Sequence, residues 1–228
     1  MLMPATNNSF GLVSRNNTPA RPSNTITFPQ IVFDLQPILN RFNSNITDIR
    51  SHFQTADDLL SLQPPKQTAA EDIWRSQIVF LDSALDFYIH EIVKYGIIKM
   101  FNGAWTESND YKKMKVRLSF TIDLAQNPNS VSKLLEEIDE MNKYSCFMGA
   151  KKLEEQFVFI DVNYNLRKSD KKLLNDLYNR RNQIAHQSDR VHGQQHKQSI
   201  TKKYVEDFIN KIENFVLNNL HPVIDAKN

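Results

Sequence analysis

A chain of 228 residues, 40% hydrophobic and 24% charged, can bury one substantial core and has the balance of an ordinary soluble globular protein. Its net charge of +2 lacks the basic excess of a dedicated non-specific duplex binder, although transient contact with RNA stays open. Only 5 glycines argue against a fold built on tight hairpins, and the single cysteine, Cys146, excludes an intramolecular disulfide or a cysteine-based metal cluster and points to a reducing compartment.

Residues 1–26 are rich in Asn, Ser, Thr and Pro and carry few large apolar side chains, so a mobile tail is expected there. They also lack the basic and apolar regions of a secretory signal. No segment approaches the about 18 uninterrupted apolar residues of a membrane span. The expected location is cytoplasmic, without membrane contact. Residues 27–228 read as one all-α domain.

From Phe28 onward, Ile31, Leu35, Ile38, Leu39 and Phe42 recur at helical spacing, with Pro37 expected to kink the helix or mark a restart. A further helix is expected over 46–62, ended by Pro64-Pro65. The clearest helix spans about 68–101, where Trp74, Ile78, Leu81, Leu85, Tyr88, Ile92 and Tyr95 alternate by four and three along one face. Glu71, Arg75, Asp82, Asp86 and His90 gather on a more polar side. Two long helices at the centre of a bundle are the expected architecture.

Helices are also expected at about 109–126, capped by Ser108 or Asn109, and at about 130–145, capped by Ser130. Residues 157–162 have strand-like composition but no second run to pair with, so they read as buried loop or short helix. Ser169 opens a helix over about 170–186, with Asp170 favourably placed in its first turn. A polar loop over 187–198 precedes a last amphipathic helix at about 200–220 that turns Val205, Phe208, Ile209, Ile212, Phe215 and Val216 inward.

The helix over 170–186 ends in Arg181-Asn182-Gln183-Ile184-Ala185-His186, and this run carries the chemistry. On a wheel at ~100° per residue, Leu173, Leu177 and Ile184 share a face, and Arg181 comes between Leu177 and Ile184 along the helix. A guanidinium in an apolar stripe needs an anionic or polar partner, because an unpaired buried charge costs several kcal/mol. Asn182 and His186, four apart, share a face on which the amide could orient the imidazole. His186 lies well around the helix from Arg181, so the two converge only through the arginine's reach, a loosened last turn or a second copy of the chain. Histidine suits general acid–base work on a ribose hydroxyl or its leaving oxygen, and arginine suits the charge on a phosphorane. No metal or other cofactor is required.

The long helix with Trp74-Arg75-Ser76 through Leu85-Asp86-Phe87-Tyr88-Ile89-His90-Glu91, together with the Arg181–His186 run, resembles the HEPN family, nearest its RiboL-PSP-type branch. The resemblance covers roughly residues 70–220. It implies a dimerising helical bundle that sets two Arg-x4–6-His motifs against each other, with Arg181 and His186 catalytic and Asn182 the usual polar residue after the arginine. Arg180 and Asp86 are candidate supporting residues. Such proteins include metal-independent endoribonucleases of toxin–antitoxin and phage-defence systems, so the expected partners are an RNA substrate, a second copy of the chain and a cognate antitoxin or defence protein. The alternative is a non-catalytic HEPN module that binds a nucleotide, a nucleic acid or a partner protein.

Other candidates read as ordinary surface. Asp82, Asp86 and His90 are expected on a solvated helix face, with one acid as a potential partner of Arg181. His192 and His196 have ligand spacing but no third and fourth ligand nearby apart from Asp189. The pairs Lys151-Lys152, Lys171-Lys172 and Lys202-Lys203 could steer phosphates but are common on surfaces.

Overall fold

The computed structural model describes residues 28–190 and 195–228, so the expected N-terminal tail and His192 lie outside the described residues. Two long helices form the centre: α1 (Leu35–Ser61) and α2 (Gln67–Phe101). They run antiparallel, because Asn102, just past the end of α2, bonds both the amide and the carbonyl of Ile31 ahead of α1. Between them, Gln77 Nε2 donates to Ile49 O at 2.8 Å from a side chain with no access to solvent.

Leu35, Ile38, Phe42, Ile46, Ile49, Phe53 and Ala56 form one buried stripe along α1. The two helical runs expected here are therefore a single helix. Pro37 does not kink it, because it sits in the first turn, where its missing N–H would have had no partner inside the helix. All seven apolar residues expected on the inner face of α2 are buried. Burial continues on its other sides: Arg75, Gln77, Asp82 and Lys94 are inside as well, so the polar side is not a solvated face.

A peripheral layer follows, of α3 (Leu118–Gln126), α4 (Leu134–Asn142) and α5 (Ala150–Phe159). The helix expected over 109–126 is confined to its second half. Ser108 Oγ accepts from Tyr111 N at 2.9 Å and supports only a short 3-10 turn, Tyr111–Lys113. A second 3-10 turn, Pro128–Lys133, precedes α4, and its cap is Asn127 rather than Ser130. The 157–162 segment is the end of α5 and the turn after it, where Asp161 adopts φ 55° and Val162 N returns to Phe157 O.

The motif helix α6 (Lys168–Gln187) runs antiparallel to α2, and α7 (Lys202–Phe215) packs across α1 and α2. Arg50 of α1 bonds Glu213 at 2.7 Å and Lys202 bonds Asp57 at 2.7 Å, which sets α7 antiparallel to α1. A π-helical turn, Val216–Leu220, carries the chain into α8 (His221–Asp225). Among the described residues there is no strand, only one isolated bridge between Arg190 and Lys197. The architecture is all-α, and no described helix is long and apolar enough to cross a membrane.

Gly96 lets the end of α5 approach the last turns of α2 closely. A Cβ there would lie 2.7 Å from Cβ of Ile160, whose side chain is fully buried. Alanine would gain ~1 kcal/mol of helix propensity but would force a packed core apart at a cost of about 1–3 kcal/mol. Gly96→Ala is therefore expected to lower the urea midpoint of unfolding. A raised midpoint would show that Ile160 yields without cost.

Candidate functional site

The site is built where α6 stops. Ser188 and Asp189 both take left-handed conformations, φ 51° and 60°, and Asp189 N returns to Gln183 O at 2.9 Å. This turn drives the Asp189 side chain inward until the residue is 0% exposed. There it is held between two arginines. Arg180 donates to both of its oxygens, through Nη1 to Oδ1 and through Nη2 to Oδ2 at 3.0 Å. Arg75 of α2 donates from Nε to Oδ2 at 2.6 Å and from Nη2 to Gln198 O at 2.9 Å. Asp72 then accepts from Arg75 at 3.1 Å and from Lys197 at 2.6 Å, which spreads the excess positive charge toward the surface.

Arg180 therefore belongs to the framework and not to an accessible reaction centre. The arginine in the apolar stripe also differs from the expectation. The inward residues of α6 are Asp170, Leu174, Leu177 and Arg180, whereas Arg181 is half-buried. Asp170, placed in the first turn for the helix dipole, is itself buried and receives Arg167 at 2.8 Å.

Arg181 lies alongside this stripe and meets two groups of its own helix. Its Nη1 donates to Asn182 Oδ1 at 3.0 Å and lies 3.3 Å from His186 Nε2. The reach of the arginine thus closes the angular gap between residues 181 and 186 within one chain. Asn182 engages the arginine through its amide oxygen, and no hydrogen bond joins it to His186 among the described residues. With Arg181 donating, Nε2 of His186 is the acceptor and the ring proton sits on Nδ1. His186 is exposed.

The anionic partner of Arg181 is Asp82 of α2. Its Oδ2 lies 3.3 Å from Arg181 Nε, and its side chain is 5% exposed. Asp86, the acid taken as a supporting residue, sits one turn further on and serves a different purpose. It accepts from Phe147 N at 3.0 Å and lies 3.7 Å from His90, whose ring stacks on Phe147. Sequence reasoning offered one of the two acids Asp82 and Asp86 as a partner of Arg181, and the structure pairs it with Asp82. Periodicity alone does not decide between them because it reports on one helix at a time.

Burial pushes the Asp82 carboxyl up to about 7, with Asp86 adding to the rise and Arg181 opposing it. Arg181 does not prevail because Nε is not aligned for a hydrogen bond, and both it and Asp82 Oδ1 are buried without a hydrogen-bond partner among the described residues. Asp82 and Arg181 border a groove of about 410 Å³ that also meets Asp86, His90, Lys143 and Cys146.

Two expectations about stability follow. Asp189→Ala would leave Arg75 and Arg180 buried without their shared anion, at a cost of about 3–5 kcal/mol, read as a fall in the urea midpoint. An unchanged midpoint would mean that the arginines escape to solvent. For Asp82, a folded value of about 7 against an ordinary 3.8 means that its contribution to stability is complete below about 4 and lost as pH rises through about 7. Asp82→Asn should flatten the unfolding midpoint across that window, and an unaltered pH profile would contradict the assignment.

Comparison with known proteins agrees with the helical architecture. No curated protein and no solved structure matches the chain significantly. Among protein families, RiboL-PSP-HEPN matches residues 40–220, which begins inside α1 and so extends about thirty residues upstream of the resemblance read from the motif helices. With most of its length matched, the chain belongs to the RiboL-PSP-HEPN family.

Proposed function

We propose that this protein is a metal-independent endoribonuclease in which Arg181 and His186 form the catalytic pair, with Asn182 bracing the arginine. The observation that carries the reading is the 3.3 Å approach of Arg181 Nη1 to the exposed imidazole of His186. Family membership supports a nuclease-like or RNA-related module on independent grounds.

RNA cleavage of this kind moves two protons. A base takes the proton of the ribose 2′-hydroxyl as its oxygen attacks phosphorus. An acid gives a proton to the departing 5′-oxygen, and a cation stabilises the charge on the phosphorane between the two events. His186 serves as the base once Arg181 Nη1 turns from Nε2 to the phosphorane and frees that lone pair, and the same guanidinium supplies the cation. One imidazole cannot take the 2′-hydroxyl proton and give a proton to the 5′-oxygen in the same event, so one chain does not hold both acid and base. A second copy supplies the other histidine, which makes the site a composite of two chains.

The surface around the motif suits that assembly. Ser76, Phe80, Ser83 and Phe87, spaced by four, three and four, form an exposed stripe on α2, with Phe80 48% and Phe87 39% exposed. Phe80 divides two grooves, one of about 400 Å³ shared with Ile184 and one of about 340 Å³ shared with His52 and Phe87. Large apolar groups flanked by concavities beside the motif form a face that a two-fold related copy can fill. In the cell, an effector of toxin or phage-defence type cleaving cellular RNA, controlled by an antitoxin or defence partner, fits this chemistry.

His186→Ala and Arg181→Ala are each expected to reduce cleavage of a labelled single-stranded RNA in EDTA by about a hundredfold or more, with folding and dimer mass unchanged. Phe80→Glu is expected to yield a folded monomer that no longer cleaves, checked by light scattering. Intact RNA with the wild-type dimer at every value from about pH 6 to 8 would favour the non-catalytic module instead.

A further inference from the structure

The Arg181 guanidinium is held on two sides and open on a third. Nη1 faces Asn182 and His186, Nε faces Asp82, and Nη2 makes no hydrogen bond among the described residues. Asn182 and His186 belong to the last turns of α6 and move with it, whereas Asp82 stands on α2, the most enclosed helix of the bundle. Its Oδ1 is buried without a hydrogen-bond partner among the described residues, which adds to the cost of keeping a carboxylate there. A buried, half-satisfied acid opposite the arginine of the proposed reaction centre costs stability, so a role at that centre accounts for it.

We infer that Asp82 is a positioning residue for Arg181, its carboxylate drawing the Nε side of the guanidinium by charge, at 3.3 Å and without a hydrogen bond, so that the free Nη2 donor is presented to the scissile phosphate. This rests on the ribonuclease reading given above and adds a residue from outside the Arg-x4-His run. The carboxylate touches no substrate. It limits the rotation of a long side chain that His186 and Asn182 engage only at one end, and it does so from a different helix. Loss of that restraint leaves the arginine charged and near the site but poorly aimed.

The charged and titratable groups around Asp82 are few. Arg181 faces it from α6, Asp86 lies on its own helix, and Cys146 approaches from the segment between α4 and α5. Burial and Asp86 favour the protonated form, and Arg181 favours the ionised one, so the hold on the guanidinium tightens as pH rises through neutrality. Cys146 stays a neutral thiol in this range, since burial pushes it up.

The test is Asp82→Asn in the full-length dimer, read by cleavage of a labelled single-stranded RNA in EDTA and by the 15N–1H signal of Arg181 Nε. The variant is expected to keep its fold and dimer mass, to be no less stable than wild type at neutral pH, and to lose about tenfold to a hundredfold in kcat with a smaller change in KM. The Arg181 Nε signal should shift with a midpoint near neutrality in His186→Ala, where the neighbouring imidazole is absent, and should stay constant when Asp82→Asn is added to that background. Wild-type kcat in the Asp82→Asn protein, an Nε signal indifferent to that substitution, or a drop in neutral-pH stability that accounts for the lost activity would each overturn the assignment. If wild-type protein leaves RNA intact, the ribonuclease reading fails, while the Nε titration still decides whether Asp82 holds Arg181.

Discussion

The central constraint is that α2 is enclosed on nearly every side and nevertheless carries charge. Arg75 and Asp82 stand seven residues apart on it, two helical turns, and neither can reach bulk water without disturbing the bundle. Each is answered from the C-terminal end of α6 by the opposite sign: Asp189 for Arg75, and Arg181 for Asp82. The antiparallel run of α6 against α2 lets both pairs form together. Hydrophobic burial drives the two helices into contact, but apolar packing tolerates sliding by a turn. Two charge pairs of opposite polarity do not, and they fix the register of the motif helix.

This arrangement separates two arginines adjacent in sequence. Arg180 points into the framework and shares Asp189 with Arg75, which makes the end of α6 a rigid corner. Arg181 points to the side, where it borders a groove and reaches His186. The rigid corner gives the exposed histidine a defined place on an otherwise ordinary helix terminus. Framework and chemistry are thus interleaved residue by residue.

Much of this was legible in the sequence where one helix determines the outcome. The stripe from Trp74 to Tyr95 places α2 within a residue or two, and the Arg181–His186 run marks the end of α6. Legibility fails where two elements meet. A wheel puts Arg181 in the apolar stripe, yet Arg180 is the more buried, because Asp189 and Arg75 draw it inward at the end of α6. Nor can a wheel choose between Asp82 and Asp86, since the choice depends on Phe147 N claiming Asp86. Local chemistry misled in smaller ways. Pro37 suggests a break but sits where a helix accepts proline, and Ser108 caps a single 3-10 turn instead of a full helix.

The left-handed pair Ser188–Asp189 has a bearing on how such chains can vary in length. The segments between α2 and α6 are short helices and turns on the periphery, where added residues can be looped outward at small entropic cost. Between Arg181 and Asp189 there is no such freedom. One inserted residue would rotate everything beyond it by ~100°, carrying His186 away from the guanidinium or Asp189 out of its pocket. In this chain the spacing from Arg181 to Asp189 is therefore tied to the corner, and added length is more easily taken up in the outer layer.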